Sequence, residues 1–284
     1  MRLTHVLSEI YDKPWLVPAI VHHRIHEIVQ LKLNTPRAEF QAKDRTVEIS
    51  GDKVTLESSY NDDGICCIPF NGVLVNRAGD WEKWAGCISH QDIIADIEEA
   101  LGDDQIDAIM FDVDSPGGTV AGSFELAELI DEANAQKPCW SWIGGMCCSA
   151  AFLALSGCNS IYGTVTSELG AIECYLPFCD MSARYREAGL EMDIIKPDQS
   201  THAAAGYPGT SLTEVQREYM KEQVTDLLNM YVAHLREVRP QIPEEAMDGR
   251  SFIGERAIQT GMLDAITTKS QAIADLRKWV DMHR

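Results

Sequence analysis

The sequence contains no apolar stretch approaching the roughly 20 residues that cross a membrane, and positive charge is scarce in it. Its 284 residues carry 24 Lys and Arg against 44 Asp and Glu, which gives a formal net charge of -20. Contact with nucleic-acid phosphates requires clustered Lys and Arg side chains. We therefore expect neither a nucleic-acid partner nor a membrane span.

Signals for metal binding and for secretion are missing as well. No His-Glu-x-x-His or Cys-x-x-Cys pattern occurs, and the pair His22 and His26 is explained more simply as a solvated helix face than as a metal site. The N-terminal segment has an acidic residue at Glu9 and no small-residue cleavage site after an apolar run. We expect no metal, no cofactor, no signal peptide and a cytoplasmic location.

The cysteines do not form an obvious disulfide framework, because their number, nine, is odd and most of them lie inside apolar segments. Buried reduced thiols fit this placement better than a disulfide scaffold. The cysteines inside apolar segments are Cys66, Cys67, Cys139, Cys147, Cys148 and Cys158.

The N-terminal part differs in pattern from the rest. Residues 17–33 place apolar side chains at helical spacing, which predicts an amphipathic helix. Residues 34–64 are polar and rich in turn formers, which separates this helix from the remainder of the chain. We therefore predict an N-terminal helical arm over residues 1–60 and one α/β domain over residues 61–284.

From Ile65 onward, strand patterns and helix patterns alternate, which predicts a mostly parallel α/β sheet with crossover helices. The predicted strands are ICCIPFNGVLV, AIMFDVD, PCWSWIG, SIYGTV and MDIIK, and the predicted helices are SHQDIIADIEEAL, SFELAELIDEANA and SAAFLALSG. A further long helix follows the capping box Ser211–Glu214.

The segment Asp114–Gly118 follows a buried strand, at the sheet edge where α/β proteins bind ligands. Consecutive glycines can turn their amides toward a carbonyl oxygen, which is the requirement of an oxyanion hole. A tight strand-to-helix connection is the alternative interpretation.

A second glycine-bearing segment places Ser149 between a strand and an apolar helix, where it is either a nucleophile or an ordinary helix N-cap. A nucleophilic serine needs a base. No Gly-x-Ser-x-Gly pattern surrounds it, and neither the nearby histidines nor the lysines stand out as that base. The histidines and lysines in question are His90, His202, His234, Lys137 and Lys196.

Three segments, FDVDSPGG, GGMCCSAAFLALSGCNSIYGTVTSELGAI and STHAAAGYP, resemble successive motifs of the signal peptide peptidase A family and its bacteriophage prohead-protease relatives. With the closing segment GRSFIGERAIQTGMLDAI, the resemblance covers about residues 64–270. It implies a ClpP/crotonase-like fold and a Ser/Lys-dyad serine peptidase. It also implies a homo-oligomer that cleaves phage scaffold, coat or portal proteins, and itself, inside the assembling prohead in the host cytoplasm.

The resemblance assigns the nucleophile to Ser149 and the oxyanion hole to Gly117 and Gly118. The family's general base is a lysine, and that position holds Ala203 here. Loss of a general base typically costs about 10²-fold to 10⁴-fold in rate, so we expect this chain to be inert. A serine that supports the lysine in the family is replaced by Glu168, with Ser167 one position away as a substitute.

Three explanations of Ala203 stay open: a substitution that inactivates an active protease, a naturally inactive relative, or a base supplied by His202 or Lys196. We favour the first, because the serine and the glycine turn are both retained. Cys148 is a poor candidate nucleophile, since its neighbours are apolar and no cation is evident to lower its pKa.

Two other classes of function stay in view. A crotonase-type acyl-CoA enzyme would share the fold and the glycine turn, but it binds an anionic nucleotide, which a strongly acidic chain disfavours. A non-catalytic capsid assembly protein would bind partners without cutting them. For the N-terminal arm, three roles are open: a self-cleaved propeptide, a cap over the cleft, or a subunit contact.

Overall fold

The structure is a computed structural model that describes residues 13–19, 21–23, 25–27, 46–49, 52–55, 60–62, 64–79, 82–83 and 85–283. The chain divides into two compact units. The smaller comprises Met1–Trp15 and Cys174–Met230, and the larger comprises Leu16–Glu173 and Tyr231–Arg284.

The strands form one large sheet and two small ones. In chain order they are β1 (Trp15–Leu16), β2 (Thr46–Ile49), β3 (Asp52–Thr55), β4 (Tyr60–Asp62), β5 (Ile65–Asn71), β6 (Val73–Val75), β7 (Cys87–Ser89), β8 (Ala108–Ser115), β9 (Gly118–Thr119), β10 (Cys139–Cys148), β11 (Ser160–Gly163), β12 (Glu168–Gly170), β13 (Ser251–Ile253) and β14 (Ala265–Ile266). The eight-stranded sheet runs β13-β12-β10-β8-β5-β4, and β11 joins it by pairing with β10 and β14. β2 and β3 form a separate two-stranded sheet.

The helices lie between these strands along the chain. They are α1 (His90–Gly102), α2 (Ser123–Gln136), α3 (Ala150–Leu155), α4 (Ser182–Glu187), α5 (Glu214–Val238), α6 (Glu255–Gln259) and α7 (Lys269–His283), with a short 3-10 helix at Glu244–Ala246.

The centre of the large sheet is parallel. β8 pairs in parallel with β5 and β10, and β10 pairs in parallel with β11 and β12, whereas the described antiparallel pairs of this sheet are at its edges, β4–β5 and β12–β13. Five of the eight residues of β8 are apolar and six are buried, as expected of a parallel strand covered on both faces. The predicted mostly parallel α/β sheet with crossover helices is confirmed.

Helices cover both faces of this sheet. α7 packs on one face through a buried cluster formed by Ile65, Cys67, Ala108, Met110, Trp140, Ala272, Leu276 and Val280. Alternate residues of β8, Ile109 and Phe111, are fully buried too, and because strand side chains alternate they point to the opposite face. All six residues of α3 are buried, and α3 packs against α2 and β10.

A four-stranded sheet in the order β1-β9-β6-β7 lies beside the glycine turn. The segment ICCIPFNGVLV, predicted as one strand, is divided into β5 and β6 at Gly72. Gly72 has φ +108°, and a Cβ there would lie 2.1 Å from the Gly86 carbonyl oxygen. The close approach of these two backbones requires the glycine and interrupts the strand.

In the smaller unit, two sequence predictions are wrong. The predicted strand at residues 192–196 has no regular secondary structure, and Ile195 is 94% exposed, so its apolar side chains do not mark a sheet. The second is the capping box of α5, which is formed by Thr213 and Gln216 and not, as predicted, by Ser211 and Glu214. Thr213 Oγ1 accepts from the Gln216 amide and Gln216 Oε1 accepts from the Thr213 amide, while Ser211 is bonded to Ser182.

The N-terminal arm is described in part. Residues 19, 21–23 and 25–27 are helical, in agreement with the predicted helix. Residues 1–12 and 28–45 lie outside the described residues, so the arm over residues 1–60 and the domain over residues 61–284 stay predictions.

Two further observations concern the cysteines and the apolar character of the helices. The six cysteines inside apolar segments are buried, and none of the nine cysteines, all of which lie in the described ranges, forms a disulfide. Among the helices of the described ranges, none combines the length and apolar character needed to cross a membrane.

Candidate active site

Ser149 lies at the junction where β10 ends and α3 begins, in a backbone conformation that L-residues rarely adopt, with φ 53° and ψ -117°. Such a conformation costs about 1–3 kcal/mol and persists only where the surroundings fix it. Here the Ser149 amide donates to Gly170 O at 2.7 Å. The Ser149 carbonyl oxygen accepts from the Leu153 amide at 2.9 Å and from the Tyr231 hydroxyl at 2.8 Å.

The Ser149 side chain is fully buried, and its hydroxyl has no hydrogen-bond partner among the described residues. Ser149 is the N-cap residue of α3, but its hydroxyl makes no cap hydrogen bond to this helix. The backbone of Ser149 is therefore held firmly while its hydroxyl is unused, which is the arrangement expected of a nucleophile awaiting its base.

The glycine turn follows the neighbouring strand β8. Gly117 has φ +103°, and a Cβ there would lie 2.4 Å from Leu16 O, 2.8 Å from Cys148 O and 2.9 Å from Ala150 N. Gly118 pairs with Leu74, and a Cβ on it would lie 1.9 Å from Leu74 O. Both positions exclude any larger residue, because Gly117 lies against the backbone on either side of Ser149, at Cys148 and Ala150, and Gly118 lies against the backbone of Leu74.

Hydrogen bonds hold this turn in place. The Ser115 hydroxyl donates to Gly72 O at 2.7 Å and accepts a long bond of 3.3 Å from the Gly117 amide. The Leu74 amide donates to Gly117 O at 2.8 Å. These contacts fix the glycine turn relative to Gly72 and to Leu74 of β6.

Behind β9, the Ser123 hydroxyl donates to Thr119 O at 2.7 Å and lies 3.0 Å from His90 Nε2. Burial lowers the pKa of His90 to about 4. His90 is therefore a neutral support of the turn, and neither of its ring nitrogens forms a hydrogen bond with the Ser149 hydroxyl.

Gly144 and Gly145 form a bulge in β10 shortly before Ser149. The register between β10 and β8 shifts between Ile143 and Cys147. A Cβ on Gly145 would lie 2.3 Å from Asp114 Oδ1, and the same oxygen accepts from the Met146 amide at 3.0 Å. The glycines make room for this carboxylate, which satisfies the amide that the bulge removes from the ladder.

Cys148 is adjacent to Ser149 but is not an alternative nucleophile in this arrangement. Burial raises the pKa of its thiol, and the neighbouring carboxylates of Glu168 and Glu173 raise it further. A thiol without access to solvent or to a cation stays protonated and unreactive.

In strand β12, Glu168 stands at the position where the family pattern has a serine. Glu168 aligns with Met146, and its carboxylate accepts from the Ser251 hydroxyl. Ser167, the proposed substitute, is fully buried, and its hydroxyl donates to Ile143 O at 2.5 Å and accepts from the Thr164 amide at 2.7 Å. Ser167 thus stabilises the preceding turn, and Glu168 occupies the strand position itself.

Ala203 belongs to the smaller unit, on an exposed turn at residues 201–206. Its carbonyl oxygen accepts from Gln216 Nε2 at 3.3 Å and from Lys196 Nζ at 3.4 Å. Lys196 Nζ also donates to Thr201 O at 2.7 Å, and the His202 ring packs against Tyr219 at 4.8 Å. Both candidate substitutes for the base are therefore engaged within this unit.

The remaining candidate bases have structural contacts in the larger unit. Lys137 Nζ donates at 2.8 Å to Ala100 O and to Asp103 O, at the end of α1. His234 Nε2 lies 3.0 Å from the Ser156 hydroxyl, and its other ring nitrogen lies 3.9 Å from Asp131.

Sequence reasoning missed one group, the Ala150 amide. It is the first amide of α3, lies next to Gly117, and has no hydrogen-bond acceptor among the described residues. The residue after a nucleophilic serine often donates to the oxyanion. Its position relative to the glycine turn depends on the strained Ser149 backbone, which leaves no signal in the sequence.

The chain matches the description "Peptidase family S49" over residues 131–283, more than half of its length. The chain belongs to peptidase family S49. The S49 match begins within α2 and includes Ser149, the turn at Ala203 and the C-terminal segment.

Among curated relatives, the chain is 26% identical to the head-tail preconnector protein GP5 of Enterobacteria phage P21, covering 96% of this chain and 57% of that protein. It is 27% identical to the capsid assembly protease C of Escherichia phage lambda, covering 78% of this chain and 50% of that protein. The chain thus spans about half the length of these relatives.

Among solved structures, an enoyl-CoA hydratase/carnithine racemase-like protein from Magnetospirillum magneticum AMB-1 aligns with 78% of this chain and 75% of its own, at 14% identity and a TM-score of 0.41. A likeness this weak supports no inference about activity. Within the described part of the chain, no group of three or more His, Cys, Asp or Glu side chains is placed to hold a metal ion.

Proposed function

We propose that this S49 chain is a serine endopeptidase of phage capsid maturation whose general base is replaced by Ala203, so that the chain as it stands binds but does not cut. Ser149 is the nucleophile, and the candidate oxyanion donors are the amides of Gly118 and Ala150 together with that of Gly117, which would have to exchange its long 3.3 Å bond to Ser115 Oγ for the oxyanion. Its substrates are phage head proteins, including scaffold, coat and portal segments and the enzyme itself.

The observation that carries this proposal is the backbone of Ser149. Ser149 is a buried serine with positive φ whose backbone groups are held by three hydrogen bonds while its hydroxyl is unbonded, a costly arrangement that a catalytic role of the hydroxyl would explain. The glycine turn beside it supplies the close backbone approach that an oxyanion hole requires. A crotonase-type enzyme has no need of this hydroxyl.

In a form with lysine at position 203, the chemistry would run through an acyl-enzyme. The neutral lysine takes the Ser149 proton as the oxygen attacks the peptide carbonyl, and the oxyanion accepts from the backbone amides. The lysine then gives that proton to the leaving amine. Water, deprotonated by the same lysine, attacks the ester, and the proton returns to Ser149.

The substrate class is supported by two relatives whose names state a head-tail preconnector and a capsid assembly protease. Cleavage of head proteins would take place inside the assembling prohead in the host cytoplasm. Assembly into a homo-oligomer stays a prediction.

A second candidate is a non-catalytic capsid assembly protein, and Ala203 is the observation that favours it. An alanine at the base position, with Lys196 and His202 engaged on the same turn or helix, leaves Ser149 without an evident proton acceptor. This alternative predicts that restoring a lysine produces no cleavage.

The test is to express Ala203→Lys, and Ala203→Lys combined with Ser149→Ala, together with the phage head proteins. We expect the single variant to trim itself or its partners, detected by intact mass spectrometry, and the double variant to leave every chain whole. Intact chains in both cultures would favour the assembly-protein alternative.

A further inference from the structure

The N-terminal segment at residues 15–17 lies beside the glycine turn as an extended strand. β1 is the hydrogen-bonded neighbour of β9 at the end of the four-stranded sheet. Trp15, Leu16 and Val17 are 2%, 0% and 0% exposed, whereas Lys13 before them and Ala19 after them are exposed. Three buried residues between exposed flanks are the pattern of a short bound peptide.

The segment is held by its backbone, in the manner of an added strand. In the smaller unit, the Trp15 amide donates to Tyr175 O at 2.9 Å and the Tyr175 amide donates to Trp15 O at 3.1 Å, an antiparallel pair. In the larger unit, Leu16 continues this strand next to β9. Extended peptides commonly bind proteins by adding a strand to an exposed sheet edge in this way.

The backbone of Leu16 passes close to the catalytic candidates. The position of a Cβ on Gly117 lies 2.4 Å from Leu16 O, 2.8 Å from Cys148 O and 2.9 Å from Ala150 N. A carbonyl oxygen of the N-terminal segment thus lies in the same small space as the groups flanking Ser149. The carbonyl group of a peptide substrate would have to occupy this same space to be attacked by the Ser149 hydroxyl.

Ser149 is fully buried, so a protein substrate cannot reach its hydroxyl while the chain keeps this arrangement. An extended substrate that paired with β9 would also need the edge that β1 occupies. Access to Ser149 therefore requires a neighbouring group to move, and the segment at residues 15–17 is followed and preceded by partly exposed prolines and then by the exposed residues Lys13 and Ala19.

We propose that residues 15–17 occupy the place beside β9 and the glycine turn where an extended peptide substrate would bind, and that they compete with substrates for it. The ligand class is an extended peptide with apolar side chains at the two positions matching Leu16 and Val17. This inference rests on the proposed function, because it takes Ser149 and the glycine turn as the peptide site. A permanent structural edge strand is the alternative.

The test measures peptide binding in the inert Ala203 chain, so that it does not depend on activity. The probe is a fluorescein-labelled peptide copying residues 11–20, YDKPWLVPAI, followed by fluorescence anisotropy. The variant Leu16→Glu should release the segment, and because a tethered occupant competes at high effective concentration, the probe should bind it at least about tenfold more tightly than the unmodified chain.

His23→Glu is the matched control, since His23 is exposed on the same N-terminal segment. It should bind the probe as weakly as the unmodified chain does. An unlabelled peptide with glutamate at the position of Leu16 should fail to displace the probe. Equal probe binding by all three chains, or no binding by a folded Leu16→Glu chain, would contradict the proposal.

A second version of the binding experiment applies if the Leu16→Glu chain does not fold. A thrombin site placed between Asn34 and Thr35 allows residues 1–34 to be cut from the folded chain. We expect the probe to bind after cutting and removal of the fragment, and not before. A chain that stays folded after removal but does not bind the probe would overturn the proposal.

Activity is measured separately with fluorogenic casein. In the Ala203→Lys background, Leu16→Glu should raise turnover at least about tenfold, for the same competition reason. If Ala203→Lys combined with Leu16→Glu is inactive while probe binding follows the prediction, the catalytic assignment fails and the inference about residues 15–17 stands. If Ala203→Lys cuts casein while Leu16→Glu changes neither rate nor binding, the inference fails and the function stands.

Discussion

The hydroxyl of Tyr231 donates a 2.8 Å hydrogen bond to the carbonyl oxygen of Ser149, a residue 82 positions earlier in the chain. Both residues are fully buried. Burial raises the pKa of Tyr231, which keeps its hydroxyl a donor across the accessible pH range. The final turns of α5 thus help to hold the strained backbone on which the proposed nucleophile lies.

The first prediction concerns this bond. Tyr231→Phe should lower the free energy of unfolding by about 1 kcal/mol, because it removes a buried hydrogen bond while leaving the aromatic ring in place. Urea unfolding measures it. Tyr219→Phe is the control, since Tyr219 is 40% exposed and its hydroxyl accepts a bond from Gln223 on the helix surface. Equal decreases in the free energy of unfolding of the two variants would show that the buried Tyr231 bond stabilises the chain no more than the exposed Tyr219 bond does.

The second prediction tests the strain at Ser149. At φ 53° the Cβ of an L-residue is crowded by the backbone, and glycine has no Cβ. Ser149→Gly should therefore be more stable than Ser149→Ala by about 1 kcal/mol. The comparison removes the hydroxyl from both variants and isolates the backbone. Thermal unfolding of the two proteins provides the measurement, and a more stable alanine variant would mean that the backbone is relaxed.

The third prediction concerns the glycine turn. A Cβ on Gly118 would lie 1.9 Å from Leu74 O, so Gly118→Ala should lower the free energy of unfolding by at least about 3 kcal/mol. Gly102→Ala is the matched control, because Gly102 ends α1 with no atom within 4 Å of its Cβ position. That control should be neutral or slightly stabilising. A well-tolerated Gly118→Ala would refute the close approach of β9 and β6.

The fourth prediction is a pH dependence at Glu173. Burial raises the pKa of this carboxyl from 4.5 to about 7, so the folded chain binds its proton more tightly than the unfolded chain does. Stability is therefore lost as the pH rises from about 4.5 through 7. Glu173→Gln removes that loss, and above pH 7 it should be more stable than the parent by about 1 kcal/mol, allowing for solvent contact.

The measurement for Glu173 is urea unfolding at several pH values between 4 and 8. The difference between Glu173→Gln and the parent should shrink toward zero at the acidic end. Glu187→Gln, an exposed carboxylate, should show no such trend. A difference that does not change with pH would place Glu173 in contact with solvent in the folded chain.

Local patterns in the sequence were enough to predict most of the central elements. The helical spacing of SHQDIIADIEEAL corresponds to α1, capped by Ser89, whose hydroxyl accepts from the Asp92 amide. The apolar run AIMFDVD corresponds to β8, because a strand buried on both faces needs no alternation. Each of these signals lies within a single element, so one sequence contains it.

Other features depend on partners distant in sequence and could not be predicted. Residues 192–196, MDIIK, were predicted as a strand from their apolar side chains, but none of the described strands pairs with them. β9 is two residues long and exists because β6 lies beside it. The positive φ of Ser149 is maintained by Gly170 and Tyr231, so the candidate site was found from its motifs while its geometry was not.

The most direct test of the central claim, that Ser149 is a nucleophile deprived of its base, is covalent labelling with a biotinylated fluorophosphonate followed by peptide mapping. The account predicts an adduct on Ser149 in Ala203→Lys, little or none in the unmodified chain, and none in Ala203→Lys combined with Ser149→Ala. An Ala203→Lys chain that is folded, with the N-terminal segment released by Leu16→Glu, and still carries no adduct on Ser149 would contradict it.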